Sequence, residues 1–247
     1  MKKKFNNRNL GSGISSVEGT WQFNKNVANV FDKHVKQSIP HYNDIQDYIV
    51  SLSEWFIKDN SVIHDLGCST GETIKKINNL NVSNNYKIIG YDTSKRMIDL
   101  AKKKVNSSKL KKRKIKFICK NVLDIQKFEK SSLFISILLF PFLKLSERKK
   151  VLKKIYDSLE TGGAFICVEK IRASNANYED IFNQIYFDFK LKKKLNEKQI
   201  LNKAKSLRSS MNLFSQKKTI QLIRDSRFQS CEVFFKCFNF LGYIAIK

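Results

Sequence analysis

Apolar positions in the first part of the chain follow helical spacing before any strand-like run occurs. They recur every three or four residues over 27–35 and again over 45–56. This spacing places apolar side chains on one face of an α-helix, which turns once in 3.6 residues. Two helices are therefore predicted ahead of the first strand. Residues 1–20 are polar and contain three glycines, and we interpret them as a flexible N-terminal arm.

Five short apolar runs with intervening helical patterns predict the strands of a sheet. The predicted strands cover residues 61–66, 86–92, 115–119, 133–140 and 164–169. The fourth run is almost entirely apolar, as expected of a parallel strand that is covered on both faces. Gly162 and Gly163 are predicted to end the helix that precedes the fifth strand. Strands that alternate with helices predict an open, doubly wound parallel sheet.

The last third of the chain departs from this alternation. Residues 176–210 have helical patterning without a preceding glycine or proline linker, so they are predicted to form a helical insertion packed on the sheet. A further helix is predicted near 216–225, and the final runs predict an antiparallel hairpin of 231–240 and 241–247. The predicted fold class is α/β: one domain with a doubly wound, mostly parallel seven-stranded sheet.

The strongest local motif is DLGCSTG over residues 65–71, at the end of the first predicted strand. Gly67 and Gly71 allow the backbone to pass close to a bound nucleoside, and such sheets bind ligands at the carboxyl ends of their strands. The motif has neither the GxxxxGK[ST] pattern of a phosphate loop nor the GxGxxG pattern of dinucleotide enzymes. A tight strand-to-helix connection without a ligand is the alternative interpretation.

Polar residues at the tips of the next two predicted strands complete a candidate nucleoside site. Asp92 follows the glycine turn by about 20 residues, the position from which a carboxylate holds both hydroxyls of a ribose. Asn121 can donate and accept hydrogen bonds, which suits the edge of adenine, with the Val122 backbone beside it. The alternatives are a solvated turn aspartate and a loop asparagine.

The charge balance of the chain has two possible explanations. The 47 basic and 22 acidic residues give a net charge of +25, which is typical of proteins that bind nucleic acid or membranes. However, only 8 of the basic residues are Arg, the side chain best suited to grip phosphate. We therefore favour compositional drift toward lysine codons and expect no stable nucleic-acid partner. The run KLKKRKIK over 109–116 keeps an RNA-binding alternative open.

Cysteine usage and hydropathy point to a soluble cytoplasmic protein. Five scattered cysteines form no C-x-x-C pair, and three histidines occur without a metal-binding spacing, so neither disulfides nor a metal site are expected. There is no run of eighteen apolar residues and no apolar stretch after the basic N-terminus, so neither a membrane span nor a signal peptide is predicted.

A resemblance to a known family rests on seven segments distributed along the chain. From residue 20 onward the chain resembles the carboxy-S-adenosyl-L-methionine synthase family, and the CFNF sequence before the last strand is more specific to that family than the glycine turn. The segments are WQF (21–23), SIPHY (38–42), HDLGCSTG (64–71), YDTSKRMI (91–98), FLKLSERKKVLKKIY (142–156), GGAFICVEK (162–170) and FFKCFNFLGYIAIK (234–247).

The resemblance implies a class I methyltransferase-like fold, a homodimer and an unusual reaction. Family members carboxylate the methyl carbon of S-adenosyl-L-methionine, which is a substrate, and take carbon dioxide from prephenate to leave phenylpyruvate. A separate enzyme uses the product to modify the wobble uridine of tRNA. In the implied mechanism the sulfonium methyl loses a proton and the resulting ylide captures carbon dioxide. No catalytic side chain is assigned.

The resemblance also implies a set of ligand residues. By position, the residues that contact the nucleoside in the family correspond to Tyr42, Gly67, Cys68, Ser69, Asp92, Thr93, Asn121 and Val122.

Two positions depart from the family pattern. Ile137 stands where an asparagine is common, and Ala204 stands where an arginine pairs with the added carboxylate. Lys203, Lys205 or Arg208 could supply the missing charge, although a lysine lacks the bidentate geometry of arginine. The alternative for these basic residues is an exposed helix face. A conventional methyltransferase acting on RNA or a small molecule, and a protein that binds the nucleoside without turnover, therefore remain alternatives.

Overall fold

The computed structural model describes the backbone of residues 8–11, 14–16, 25–82, 85–106, 114–208 and 210–247, and side chains from residue 30 onward. Two helices precede the main sheet, as predicted. The helices are α1 (Lys25–Ser38), α2 (Tyr42–Glu54), α3 (Glu72–Asn78), α4 (Lys95–Asn106), α5 (Leu145–Ser158), α6 (Ala176–Lys192), α7 (Glu197–Ser206) and α8 (Gln216–Asp225). The segment WQF, on which part of the resemblance rests, lies outside the described residues, as do residues 109–113 of the basic run.

Seven strands form one mixed sheet, which confirms the predicted fold class. The strands are β3 (Val62–Leu66), β4 (Lys87–Asp92), β5 (Lys114–Cys119), β6 (Ser131–Ile137), β7 (Leu159–Lys170), β8 (Ser230–Cys237) and β9 (Phe240–Ile246). Their order is β5-β4-β3-β6-β7-β9-β8, with β3 to β7 parallel and β9 antiparallel to both β7 and β8. The order reverses between β3 and β6, where open parallel sheets bind their ligands.

Part of the predicted N-terminal arm has regular structure. β1 (Arg8–Gly11) and β2 (Ile14–Ser16) pair as a short antiparallel hairpin, and β1 lies beside α7. The flexibility of the arm over residues 1–20 stays a prediction. The predicted insertion over 176–210 consists of α6 and α7.

Three predicted strand boundaries are wrong, and each has a backbone reason. β6 ends at Ile137 instead of residue 140, because Leu138 adopts a left-handed φ of 60° and a short 3-10 helix follows. β7 already begins at Leu159 and includes both glycines, because Gly163 O accepts a hydrogen bond from Lys247 N at 3.0 Å. The hairpin turns at residues 238–239 instead of after 240.

A buried ion pair joins helix α5 to strand β7. Arg148 of α5 and Glu169 of β7 are both fully buried, with 2.8 Å between Arg148 Nη1 and Glu169 Oε2. Arg148 Nη2 also donates to Asn212 O at 2.7 Å, and Tyr243 OH donates to Glu169 Oε1 at 3.1 Å. This network connects α5, β7, β9 and the loop before α8, and the last three contribute residues to the cavity described below.

Replacing one partner of this pair is expected to destabilise the fold, because it leaves an uncompensated buried charge. Arg148→Met should lower the free energy of unfolding by about 3–5 kcal/mol in urea titrations. Adding Glu169→Leu to that variant should recover part of the loss, since no buried charge then remains. The control is Lys153→Met, which breaks an exposed pair with Asp157 and should cost less than about 1 kcal/mol. Equal losses in the Arg148 and Lys153 variants would contradict the prediction.

Candidate functional site

A cavity of about 520 Å³ opens at the carboxyl ends of the parallel strands and is closed on its other sides by α1, α2, α6 and α7. It brings together every residue that the sequence analysis predicted to contact a ligand. These are Tyr42, Gly67, Cys68, Ser69, Asp92, Thr93, Asn121 and Val122. Their contact with a nucleoside stays a prediction.

The glycine turn after β3 needs an unusual backbone. Gly67 and Gly71 have φ values of 79° and 73°, a region that favours glycine because a side chain there meets the backbone. A Cβ on Gly71 would lie only 2.9 Å from the Cβ of Ala101, so α4 could not approach the turn as it does. The amides of Gly67 and Cys68 both donate to Tyr91 O at 2.9 Å, which fixes the turn against β4.

Asp92 is held at the cavity wall by the backbone on either side of it. Its Oδ2 accepts from Ser69 N at 3.0 Å, and its Oδ1 accepts from Ser94 N at 2.8 Å. Burial raises the pKa of Asp92, and these amide hydrogen bonds work against that shift. Each carboxylate oxygen can accept a second hydrogen bond, so the geometry leaves capacity for two ligand hydroxyls.

Asp65 is a wall residue that the sequence analysis did not assign, although it begins the DLG motif. It is buried beneath the glycine turn, and burial, followed by the charge of Asp92, raises its pKa to about 7. Two carboxylates in one buried site are unfavourable unless a cation lies nearby. This end of the cavity therefore suits a cationic ligand group.

Tyr42 and Asn121 also line the cavity. Gln46 Nε2 donates to Tyr42 OH at 3.4 Å, and burial, with nearby carboxylates, raises the pKa of the Tyr42 phenol well above its usual range. Asn121 Oδ1 accepts from Leu123 N at 3.0 Å and so caps a short 3-10 helix, which orients the amide and the buried Val122 beside it.

The opposite end of the cavity carries three lysines from three separate elements. Lys170 ends β7, whereas Lys190 and Lys203 project from α6 and α7. The Nζ atoms of Lys170 and Lys190 lie 4.9 and 3.7 Å from the ring centroid of Tyr186. Burial and the neighbouring lysines lower the pKa of Lys190 to about 6 and that of Lys203 to about 7. Cations in this arrangement favour an anionic ligand group.

Helix α1 contacts both ends of the cavity. At the basic end, Lys203 Nζ lies 2.7 Å from Nε2 of the buried His34, whose pKa is lowered to about 3 by burial and the nearby lysines. The imidazole is therefore neutral. At the other end, Asp32 accepts hydrogen bonds from Thr70 Oγ1 and Lys104 Nζ, both at 2.6 Å. The helix thus bridges the glycine turn and the helical insertion.

The two ends of the cavity lie at different strands along one edge of the sheet. β7 is the third strand from β4, so the backbones of Asp92 and Lys170 are roughly 14 Å apart across the sheet. A cavity with carboxylates at one end and amines at the other can hold a cation and an anion at the same time. The sequence analysis named Lys203 as a possible partner for a carboxylate but missed Lys170 and Lys190, because these residues share no motif or spacing.

The two departures from the family pattern also line the cavity. Ile137 and Ala204 are both wall residues, as are Lys203 and Arg208, whereas Lys205 is not among the residues that line the cavity. Lys203 is therefore the neighbour of Ala204 that is placed to meet a carboxylate. Its contact with His34 directs the ammonium group toward α1.

Two further properties of the described residues concern metal binding and membrane insertion. Within the described ranges, no group of three or more His, Cys, Asp and Glu side chains could hold a metal ion. No helix in the described part of the chain is both long and apolar enough to cross a membrane.

Comparison with solved structures shows the class I methyltransferase fold. Magnesium protoporphyrin IX methyltransferase from Synechocystis, with bound SAH, is similar with a TM-score of 0.60 at 11% identity, covering 91% of this chain and 95% of that one. The cyclopropane synthase MmaA2 from Mycobacterium tuberculosis is similar with a TM-score of 0.55 at 10% identity, covering 76% of this chain and 63% of that one.

Sequence comparison identifies the family. The profile of the ubiE/COQ5 methyltransferase family matches residues 23–245. A carboxy-S-adenosyl-L-methionine synthase from Staphylococcus epidermidis is 33% identical, covering 92% of this chain and 97% of that protein. One from Nautilia profundicola is 31% identical, covering 94% and 96%. The chain is therefore an enzyme of the ubiE/COQ5 methyltransferase family and belongs to the carboxy-S-adenosyl-L-methionine synthases.

Proposed function

We propose that this protein converts S-adenosyl-L-methionine and prephenate into carboxy-S-adenosyl-L-methionine and phenylpyruvate. The observation that carries the proposal is the single cavity with carboxylates at one end and lysines at the other. S-adenosyl-L-methionine is a sulfonium cation, and prephenate carries two carboxylates. The opposed charges of the two substrates match the opposed charges of the cavity walls.

The nucleoside lies at the acidic end in this proposal. Asp92 accepts hydrogen bonds from both ribose hydroxyls, and the glycine turn passes along the nucleoside, with Cys68 and Ser69 in the cavity wall. Asn121 and the Val122 backbone meet the adenine edge. Asp65 contributes negative charge near the sulfonium, which the substrate and the carboxylated product both carry.

The carboxylates of prephenate lie at the basic end, near Lys170 and Lys203. Loss of carbon dioxide and of the ring hydroxyl group as hydroxide converts prephenate into phenylpyruvate. The hydroxide removes a proton from the sulfonium methyl, which gives water and the ylide. The methyl carbon then forms a bond to carbon dioxide, which gives the carboxymethyl group. The protein holds both substrates in register and excludes water, because water would protonate the ylide.

Three further features follow from the same proposal. The product serves a separate enzyme that modifies the wobble uridine of tRNA, and the synthase acts in the cytoplasm. The chain forms a homodimer, for which the exposed apolar side chains of α6 and α7 offer a surface: Ile181 and Leu201 are 51% and 53% exposed.

A conventional methyltransferase is the second candidate function. It is favoured by Ile137 and Ala204, because these wall residues lack the polar groups that hold the added carboxylate in the family. In that case the sulfonium methyl is transferred intact to RNA or a small molecule.

The product of the reaction separates these candidates. Incubation with S-adenosyl-L-methionine and prephenate should yield a nucleoside whose mass exceeds that of the substrate by one carbon dioxide, together with phenylpyruvate. Omitting prephenate should abolish the product and serves as the control. S-adenosylhomocysteine formed only when RNA or another acceptor is added would identify a methyltransferase instead.

Asp92→Ala should weaken nucleoside binding at least tenfold by calorimetry. The variant removes two hydrogen bonds to a charged acceptor, each contributing ~1.5–3 kcal/mol. Asp157→Ala, an exposed carboxylate on α5, is the matched control and should leave the affinity unchanged. An unchanged affinity in the Asp92 variant would show that β4 does not present its carboxylate to the ribose.

The two ends of the cavity should respond to pH in opposite directions. Asp65 ionises near pH 7, so the affinity for S-adenosyl-L-methionine should rise several-fold between pH 6 and 8. Lys203 loses its proton near pH 7, so the affinity for prephenate should fall over the same interval. Asp65→Asn should remove the first dependence and leave the second. Parallel pH profiles for the two ligands would be inconsistent with separate acidic and basic ends.

Lys203 should discriminate the carboxylated product from the substrate. Wild type is expected to bind carboxy-S-adenosyl-L-methionine more tightly than S-adenosyl-L-methionine, and Lys203→Met should erase a difference of ~1.5–3 kcal/mol. Lys205→Met should preserve it, because Lys205 does not line the cavity. Ala204→Arg should increase the difference by adding a bidentate donor. Equal affinities in wild type would remove Lys203 from this role.

A further inference from the structure

Lys190 is a buried amine for which the proposed reaction has no use. Its side chain is 5% exposed and lines the cavity, and its Nζ lies 3.7 Å from the ring centroid of Tyr186 and 5.3 Å from that of Phe187. Lysine is seldom buried without a partner of opposite charge, because the ammonium group loses its hydration. The location therefore calls for a chemical explanation.

The charged groups around Lys190 disfavour its protonation from every side. Lys170 of β7 approaches the same Tyr186 ring, Lys203 reaches in from α7, and the neutral His34 of α1 contacts Lys203. The carboxylate of Glu179 acts on Lys170, where it opposes the lowering of the pKa by burial. The pKa of Lys190 is lowered to about 6, chiefly by burial and then by Lys203 and Lys170, so a free amine predominates at neutral pH. A desolvated amine beside cations is an activated nucleophile.

We propose that Lys190 Nζ binds carbon dioxide reversibly as a carbamate at the basic end of the cavity. The inference rests on the proposed function for its source of carbon dioxide. The nitrogen lone pair forms a bond to the carbon, one C=O electron pair moves onto oxygen, and the nitrogen releases one proton to solvent. The reverse step breaks the C–N bond, restores the amine by taking up a proton and returns carbon dioxide.

The surroundings stabilise the carbamate once it has formed. The reaction replaces a neutral amine by an anion, and Lys170 and Lys203 then face a charge of opposite sign. At an effective dielectric constant of about 20, such a pair interacts several-fold more strongly than in bulk water. The same cations that oppose an ammonium group at Lys190 therefore favour a carbamate there.

A carbamate at this position would retain the one-carbon unit between two steps of the reaction. Carbon dioxide is small and uncharged, so it can leave an open cavity before the methyl carbon is ready to accept it. Capture by Lys190 converts it to an anion held by the neighbouring lysines. Release then supplies it within the same cavity.

The test uses the intact protein without either substrate. Wild type at pH 8, equilibrated with ¹³C-labelled carbon dioxide and bicarbonate, should show a carbamate carbon signal in NMR that Lys190→Met lacks. Lys192→Met, on the exposed side of the last turn of α6, is the matched control and should retain the signal. The chain's α-amino group, with a pKa near 8, gives a second adduct in every variant.

Trapping and pH dependence complete the test. Alkylation of the carbamate followed by peptide mass spectrometry should place the adduct on Lys190, and the signal should fall as the pH is lowered below about 6, since the amine is then protonated. Lys190→Arg keeps a cation that cannot form a carbamate, so it should also lack the signal while preserving the fold by circular dichroism. A wild-type protein without the signal, or a signal that persists in both Lys190 variants, overturns the inference.

The result of the carbamate test can be distinguished from the result of the synthase assay. A carbamate on Lys190 in a protein that makes no carboxylated nucleoside would support the inference and reject the proposed synthase activity. A protein that makes carboxy-S-adenosyl-L-methionine but shows no carbamate on Lys190 would do the reverse.

Discussion

Charge neutralisation between Arg148 and Glu169 is the constraint on which the cavity depends. Glu169 immediately precedes Lys170, so fixing the carboxylate in the core also fixes where the strand end presents its lysine. Arg148 simultaneously holds Asn212, whose neighbours Met211 and Leu213 line the cavity. A pair of buried charges satisfied only by one another, by backbone carbonyls and by Tyr243 tolerates little displacement. The buried ion pair therefore fixes the positions of these residues in the cavity wall.

The sequence was sufficient for those parts of the site that a single strand and its following turn determine. Gly67, Asp92 and Asn121 lie at or just after the ends of three parallel strands, and all such ends meet at one edge of the sheet. Their convergence follows from topology once the strands are recognised. The same reasoning located most helices, because helical periodicity is a local property of the chain.

The basic end of the cavity could not be predicted as a cluster, because it is assembled from distant segments, although the resemblance pointed to Lys203. Lys170, Lys190 and Lys203 belong to β7, α6 and α7, and in a chain with 39 lysines nothing local distinguishes them from solvated ones. The early end of β6 escaped prediction for a related reason: Leu138 is apolar like its neighbours, and its left-handed backbone reflects the packing of the turn that follows. Both features are decided by tertiary contacts.

The bridge formed by α1 makes the two ends of the cavity thermodynamically linked. Asp32 fastens the helix to the glycine turn, and His34, two residues later, fastens it to α7. A ligand that tightens either attachment restricts the position of the whole helix and reduces the ordering entropy left for the second ligand. A ligand that acted in this way would raise the affinity of the other end for its own ligand, and reciprocity requires the same factor in return. The coupling would run through one helix within one chain.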